Sequence, residues 1–335
     1  MSKSLIIGLD IGNYSIKAVV LKPSQAGYQL LACHEIVNDD DIFADNDTLN
    51  HQEIVNKLKQ LKKVLPWRSR KVATALPDNA VFSKVIQIDG DLDPREKEFA
   101  IYQSFAHQSP LPIEELSLDF VPLPLKALGQ NRGETYQVYA TRQEVVTSRV
   151  SALAQAGFSA TLLDIPCHGF AHILRQVNHT QQRKQWMLVD IGYKQTTLCL
   201  DFIDKPPFYK DIAFGTHWLT SLSLTEKIIE PQQRSVEQFY QQFIDRLKRQ
   251  LQWFNSVQGS GAVAGIWLSG GGSMVEDLAK TVAEQLALPC EIFTPFVAFQ
   301  PSLAKQQRFD DQAKYATALG LALRGMNWLE LRHAA

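Results

Sequence analysis

Apolar and polar positions change rhythm repeatedly along this chain, and the changes mark its elements. Residues 4–21 read as a strand, a turn and a strand. SLIIGLD runs to Gly12-Asn13, and SIKAVVLK resumes with alternation: Ile16, Ala18 and Val20 on one face, Ser15, Lys17 and Val19 on the other. A third strand around Gln29–Glu35 completes a meander. The acidic stretch NDDDIFADND at 38–47 reads as a solvated loop, including Asp39-Asp40-Asp41. Ile54, Leu58, Leu61 and Leu65 then recur at helical spacing, and Pro66 closes that helix.

Residues 71–158 read as a unit of their own. KVATALP and VFSKVIQI are strands. Asp93 caps a helix whose first position is Pro94. SPLPIEELSLDFVPLPL is too proline-rich to be a central strand throughout. TYQVYATR is a strand, and QEVVTSRVSALAQAGF is a helix ending at Gly157. The order β-β-α-β-β-α predicts a small α+β module.

From residue 186, WMLVDIGYKQTTLCLDFID repeats the opening meander. A long helix over 231–255 carries the stripe Val236, Tyr240, Phe243, Leu247, Leu251 and Phe254. Arg246, Lys248 and Arg249 give it some character of a membrane-surface helix, but aromatic residues confined to one face favour core packing. AGIWLSGGGSMVEDLAKTVAEQLALP predicts a buried strand, a glycine loop and a helix, and a last helix falls near 310–325.

With 335 residues the chain is long enough for two lobes of roughly 150 residues each. The net charge is −1 with Lys and Arg scattered, which argues against a nucleic-acid surface. Cys33, Cys167, Cys199 and Cys290 form no C-x-x-C pair and suggest neither a disulfide framework nor a zinc site; a reducing compartment is the simplest reading. No apolar run approaches the roughly 18 residues that span a bilayer, and the N-terminus does not read as a signal peptide. A role at a membrane therefore requires a tether.

The candidate chemistry lies in the repeat. GLDIGNYSIKAVV and LVDIGYKQTTLCL each place Asp-Ile-Gly between strands. Glycine lets the main chain approach a phosphate closely, and Asn13, Tyr14 and Ser15 in one turn, Tyr193 and Lys194 in the other, can offer N–H groups. Asp10 and Asp190 would face each other across a cleft, where Mg²⁺ held through water would relieve their repulsion. A third loop, Ser269-Gly270-Gly271-Gly272-Ser273, leads into an S-x-x-E capping box formed by Ser273 and Glu276, which predicts a helix starting directly after the glycines. Neither G-x-x-x-x-G-K-[ST] nor G-x-G-x-x-G occurs. His168 and His172 have metal-ligand spacing but no third ligand nearby, and read as structural.

In this order, GLDIGNYSIKAVVLK, PLPIEELSLDFVPL, LVDIGYKQTTL, RLKRQLQWFN, IWLSGGGSMVEDLAKTVAEQLAL and ATALGLALRG resemble the PilM family of type IV pilus assembly, in the FtsA-like branch of the actin-like ATPase superfamily. The resemblance implies two lobes of duplicated mixed β-sheet flanked by helices, with an inserted α+β subdomain. The first lobe would comprise 1–70 completed by 159–185 and 318–335, and the insertion 71–158. The second lobe would comprise 186–215 and 262–317, with a shortened subdomain at 216–261.

It also implies ATP and Mg²⁺ between the lobes. Asp10, Gly12, Asn13, Ser15 and Lys17 would contact phosphates from one side, and Asp190, Gly192 and Thr196 from the other. Asp190 would lie nearest the metal, with Asp10 second, and Gly270, Gly271, Gly272 and Ser273 would lie against the adenosine. Asp10 and Asp190 are then the candidate catalytic residues of, at most, a slow ATPase. The implied partner is the N-terminal cytoplasmic peptide of the membrane protein PilN, bound beside the inserted subdomain. That would place the protein in the cytoplasm, peripheral to the inner membrane, without inserting into it and with oligomers open.

Two departures leave alternatives open. Only LTSLSLTEKIIEP stands where family members usually carry a longer roof over the nucleotide, and bulky Tyr193-Lys194-Gln195 is expected to crowd the second phosphate loop. The first alternative is a degenerate scaffold of the same family that binds no nucleotide. The second is a small-molecule kinase of the sugar-kinase type, for which no base is evident. An FtsA-like filament former would end in an amphipathic membrane helix, and NWLELRHAA is too short for one.

Overall fold

A computed structural model describes residues 4–334 apart from 26, 40–41, 45–47, 124–132, 203–205, 220–230, 259–261 and 300–310. The chain opens with the antiparallel meander β1 (Ile6–Ile11), β2 (Ser15–Ser24) and β3 (Gly27–Val37). After α1 (His51–Val64), β4 (Lys71–Ala75) returns parallel to β1. The chain then leaves the sheet for β5 (Val81–Asp89), α2 (Pro94–Ala106), β6 (Leu116–Pro122) and β7 (Gly133–Arg142). It comes back through α3 (Gln143–Gln155) to β8 (Ser159–Asp164), parallel to β4. The helix α4 (Pro166–Thr180) leads into the second half.

There the plan repeats. β9 (Trp186–Ile191), β10 (Thr196–Leu200) and β11 (Phe208–Ile212) form a second meander. They are followed by α5 (Pro231–Gln258), β12 (Gly265–Ser269), α6 (Leu278–Leu286), β13 (Cys290–Ile292) and α7 (Ala316–Ala334). The two five-stranded sheets have matching orders, β3-β2-β1-β4-β8 and β11-β10-β9-β12-β13.

Both sheets are covered on both faces, which is why their strands read as nearly unbroken apolar runs. In β9, Trp186 and Leu188 face a shared central core with α4 and α7, while Met187, Val189 and Ile191 face α5 and α6. In the first sheet, Ile6, Val19 and Leu21 join the central core, while Ile7, Ala18 and Val20 face α1 and α3. Most of the α5 stripe is core: Phe243, Leu247, Leu251 and Phe254 are buried together with Phe239 and Ile244, while Val236 and Tyr240 are half-buried. Burying each such side chain contributes roughly 1.5–3 kcal/mol, so the helix is held to its lobe and is not free to lie on a membrane. Arg246 lies over the Phe214 ring, 4.6 Å from its centroid.

The expected module at 71–158 is corrected by topology. Its elements form in the predicted order, but β4 pairs with β1 and β8, and α3 packs on the first sheet through Ala152, Leu153 and Ala156. What stands apart is the three-stranded sheet β5-β7-β6 with α2 on one face. Asp93 caps α2, accepting from the Arg95 and Glu96 N–H groups, and Glu96 completes the capping box. The proline-bounded stretch forms the edge strand β6, as its composition demands. The last helix begins at Ala316, later than predicted, because Gln312–Tyr315 form a 3-10 turn first. The 220–230 part of the shortened roof lies outside the described residues.

Candidate functional site

The two Asp-Ile-Gly turns close in the same way. The Gly12 N–H donates to the Ser15 carbonyl at 3.1 Å, and the Gly192 N–H to the Gln195 carbonyl at 2.9 Å. Each glycine therefore lines the site with its own N–H already used. The first turn is braced by Asn38, whose side chain donates to the Gly12 and Asn13 carbonyls. The second is braced by Thr216 and His217, whose N–H groups donate to Gly192 and Tyr193.

Both turns open on one cleft of about 410 Å³. That falls within the roughly 300–1,000 Å³ of small-molecule sites. Asp10, Gly12, Asn13 and Lys17 line it from the first lobe, and Asp190, Gly192, Tyr193 and Lys194 from the second, with Gly270 and Gly271 at one wall. Expected crowding by Tyr193 takes a specific form: its ring meets Tyr14 from the opposite turn, centroids 5.8 Å apart, and both line the cleft.

Burial raises the Asp10 carboxyl above the ordinary carboxylate value, against the pull of the Lys17 ammonium 3.6 Å away. Burial likewise pushes Asp190 up to about 7; a Ser269 hydrogen bond opposes this and the Asp10 charge adds to it. Both carboxylates line the one cleft, where they repel each other when ionised. That is the situation a divalent cation relieves.

Several expected contacts fall elsewhere. Ser15 is buried and donates to the Glu35 carboxylate at 2.6 Å, away from the cleft. Thr196 is buried and donates to the Phe214 carbonyl. Its neighbour Thr197 lines the cleft instead, because β10 pairs Thr197 with Asp190 just as β2 pairs Lys17 with Asp10. The predicted capping box is not formed. Gly271–Met274 make a 3-10 turn in which the Ser273 hydroxyl donates to the Gly270 carbonyl, and α6 starts only at Leu278, with Asp277 at its N-cap. Gly272 packs on Ile191, so of the four loop residues Gly270 and Gly271 face the cleft. Gly270 has φ +78°, and a Cβ there would sit 2.4 Å from the Ile191 carbonyl oxygen, so this position requires glycine.

The structure adds residues that no motif marked. Asp78, from the turn after β4, accepts a hydrogen bond from the Tyr209 hydroxyl of β11 and so joins the lobes at the cleft. Burial pushes the Asp78 carboxyl up to about 7. Lys314 lines the cleft and pairs with Glu35 and Asp311. His168 and His172 contact Asp164 and Asn327 respectively, and among the described residues no cluster suited to a metal ion is found.

The raised values of Asp78 and Asp190 set a pH dependence. Both carboxyls hold a proton in the fold that the unfolded chain releases near pH 4. Their contribution to stability is therefore complete below about pH 4 and lost as pH rises through about 7. Thermal midpoints measured from pH 5 to 8 are expected to fall less in D190N and D78N than in the parent. Parallel curves for all three proteins would refute the assignment.

A second concavity lies between the open face of the small sheet and the first lobe. β6 and β7 present Ser117, Asp119, Val121, Tyr139 and Thr141 on that face, opposite Arg324, Trp328 and Leu331 of α7. It measures about 560 Å³. Its walls include Leu76, Val81, Leu162 and Ile165, so it is more apolar than the cleft.

Two sheets of one order, stacked about shared helices, with paired aspartate turns facing across a cleft, define the actin-like ATPase fold. The chain is similar in structure to a PilM-PilN type IV pilus biogenesis complex, with 24% identity, 97% of this chain and 98% of that one covered, and a TM-score of 0.75. It is also similar to the ethanolamine utilization protein EutJ from Carboxydothermus hydrogenoformans, with 13% identity, 96% and 90% coverage, and a TM-score of 0.54. A third likeness is to the activator of the 2-hydroxyisocaproyl-CoA dehydratase from Clostridium difficile with bound ADPNP, with 10% identity, 99% and 97% coverage, and a TM-score of 0.51. The chain belongs to the PilM family: the family model described as type IV pilus assembly protein PilM matches residues 8–238 and 225–326.

Proposed function

We propose that this protein is a nucleotide-binding scaffold of type IV pilus assembly that holds the N-terminal cytoplasmic peptide of a PilN-type membrane protein. The observation that carries the reading is the coexistence of two separate concavities of different chemistry in one chain. One is the polar cleft between the aspartate turns; the other is the apolar groove beside the small sheet.

The cleft suits a Mg²⁺-nucleotide by its donor set. Asp10 and Asp190 would hold the cation through water, Lys17 and N–H groups of the turns would meet phosphate oxygens, and Gly270-Gly271 would lie against the nucleoside. Bound Mg²⁺ supplies charge neutralisation between carboxylates and phosphates. The similar dehydratase activator has ADPNP bound, which supports a nucleotide in this fold. The groove suits an extended peptide with apolar side chains, laid between an open sheet face and a helix. The solved PilM-PilN complex supports the choice of partner. Among the described residues no helix is long and apolar enough to cross a membrane, so a tether of this kind would supply the membrane contact.

Calorimetry with Mg²⁺-ATP and, separately, with a synthetic PilN N-terminal peptide tests both halves. Saturable one-to-one binding of each is expected. Failure to bind ATP at millimolar concentration would remove the nucleotide and leave the scaffold; failure to bind the peptide would remove the scaffold.

A further inference from the structure

The groove has a polar centre that its apolar walls do not explain. Asp164, at the end of β8, is buried, and its carboxylate receives three donors. These are the Arg324 Nε at 2.7 Å, the His168 Nδ1 at 2.7 Å and the Ile165 N–H at 2.9 Å. Burial raises this carboxyl, but the His168 and Arg324 hydrogen bonds and the Arg324 charge outweigh that cost and hold it down at about 2, so it stays ionised. On the far side of the imidazole, the Tyr139 hydroxyl lies 3.3 Å from the His168 Nε2. Tyr139 comes from the small sheet and Asp164 from the first lobe, so the cluster spans the groove.

The consequence falls on Arg324. Its guanidinium is fixed at Nε, while its side chain remains 37% exposed and lines the groove. Among the described residues its two outer amino groups make no hydrogen bond. A fixed, planar cation with its outer edge turned to a cavity is the geometry that receives a side-chain oxygen in a forked contact. An arginine needed only to neutralise Asp164 would gain nothing by facing the groove.

We infer that Arg324 is the specificity-determining residue of the groove, receiving the side-chain oxygen of one residue, a carboxylate or carboxamide, of the bound partner segment. Asp164 and His168 hold it in place. The apolar walls accept the flanking side chains, and Arg324 fixes the register in which they enter. This rests on the reading of the groove as the partner site.

The test pairs protein variants with an alanine scan of the synthetic PilN N-terminal peptide, read by calorimetry. R324Q is expected to weaken binding roughly 10- to 100-fold. In the parent protein, alanine at one oxygen-bearing peptide position should cause a similar loss, and in R324Q it should cause no further loss. R324K, which keeps the charge without the fork, should fall between. Exchanging acid for amide at that position tells the two oxygen sources apart. The inference is overturned if R324Q binds like the parent, if the two losses simply add, or if no oxygen-bearing peptide position matters. This last arm uses the unaltered protein and does not depend on any variant folding. If the unaltered protein fails to bind the peptide, the partner reading falls and takes this inference with it; the other outcomes strike this inference alone.

Discussion

A K17A variant is expected to lose Mg²⁺-nucleotide affinity by roughly 10- to 100-fold, the value of one charge-assisted contact to a phosphate. Lys17 is mostly shielded from solvent and stands 3.6 Å from Asp10. Its charge also acts on Glu35 and on Asp190. It is the cation that offsets the carboxylates of the cleft. Removing it subtracts a phosphate ligand and leaves Asp10 and Asp190 facing each other with less compensation. Both carboxyls should then rise further, so the loss in affinity should be larger at pH 6 than at pH 8. Calorimetry at the two pH values checks this, with the peptide titration as a control for folding. Equal affinity in K17A and the parent would remove Lys17 from the site and return it to the role of a strand lysine.

A G8A variant is expected to lose about 3 kcal/mol of stability, lowering the thermal midpoint by roughly 4 °C for a chain of 335 residues. Gly8 lies in β1 against α7, and a Cβ there would fall 1.8 Å from the Ala318 carbonyl oxygen and 2.4 Å from the Ala322 nitrogen. The obstacle is helix backbone, which cannot rotate aside as a side chain can. The strand or the whole helix must move, and α7 also packs along α4. A midpoint within about 2 °C of the parent would mean that the strand and helix separate far more easily than their contact implies.

Much of this was legible because the useful signals were local. The Asp-Ile-Gly turns announced themselves twice, and alternation in SIKAVVLK set Lys17 on the face opposite Ile16. The same parity would have chosen Thr197 over Thr196, since Asp10 to Lys17 and Asp190 to Thr197 are the same step in two copies of one hairpin. Family resemblance chose Thr196, which is buried and bonded to the Phe214 carbonyl. Ser273 and Glu276 matched a helix start in letters only, because the glycine run continued into a 3-10 turn. Asp78 and Tyr209 carried no signal. They meet across the two lobes, and neither lies in a recognisable pattern. The grouping of β4 with the first sheet was hidden for a related reason. Periodicity tells which residues make a strand, and says nothing of which strand lies beside it.

The position of α7 bears on how the molecule is made. Ala318, Leu319, Leu321, Ala322, Leu323 and Met326 fill the core beneath β1 and β2, although almost the whole second lobe separates them in the chain. A nascent chain commonly folds its N-terminal domain first during synthesis. Here the first lobe cannot close its core until α7 has been made, so its opening sheet must wait, half-covered, through the synthesis of the other lobe. The second lobe's own strands and helices, by contrast, are all in hand before α7 emerges.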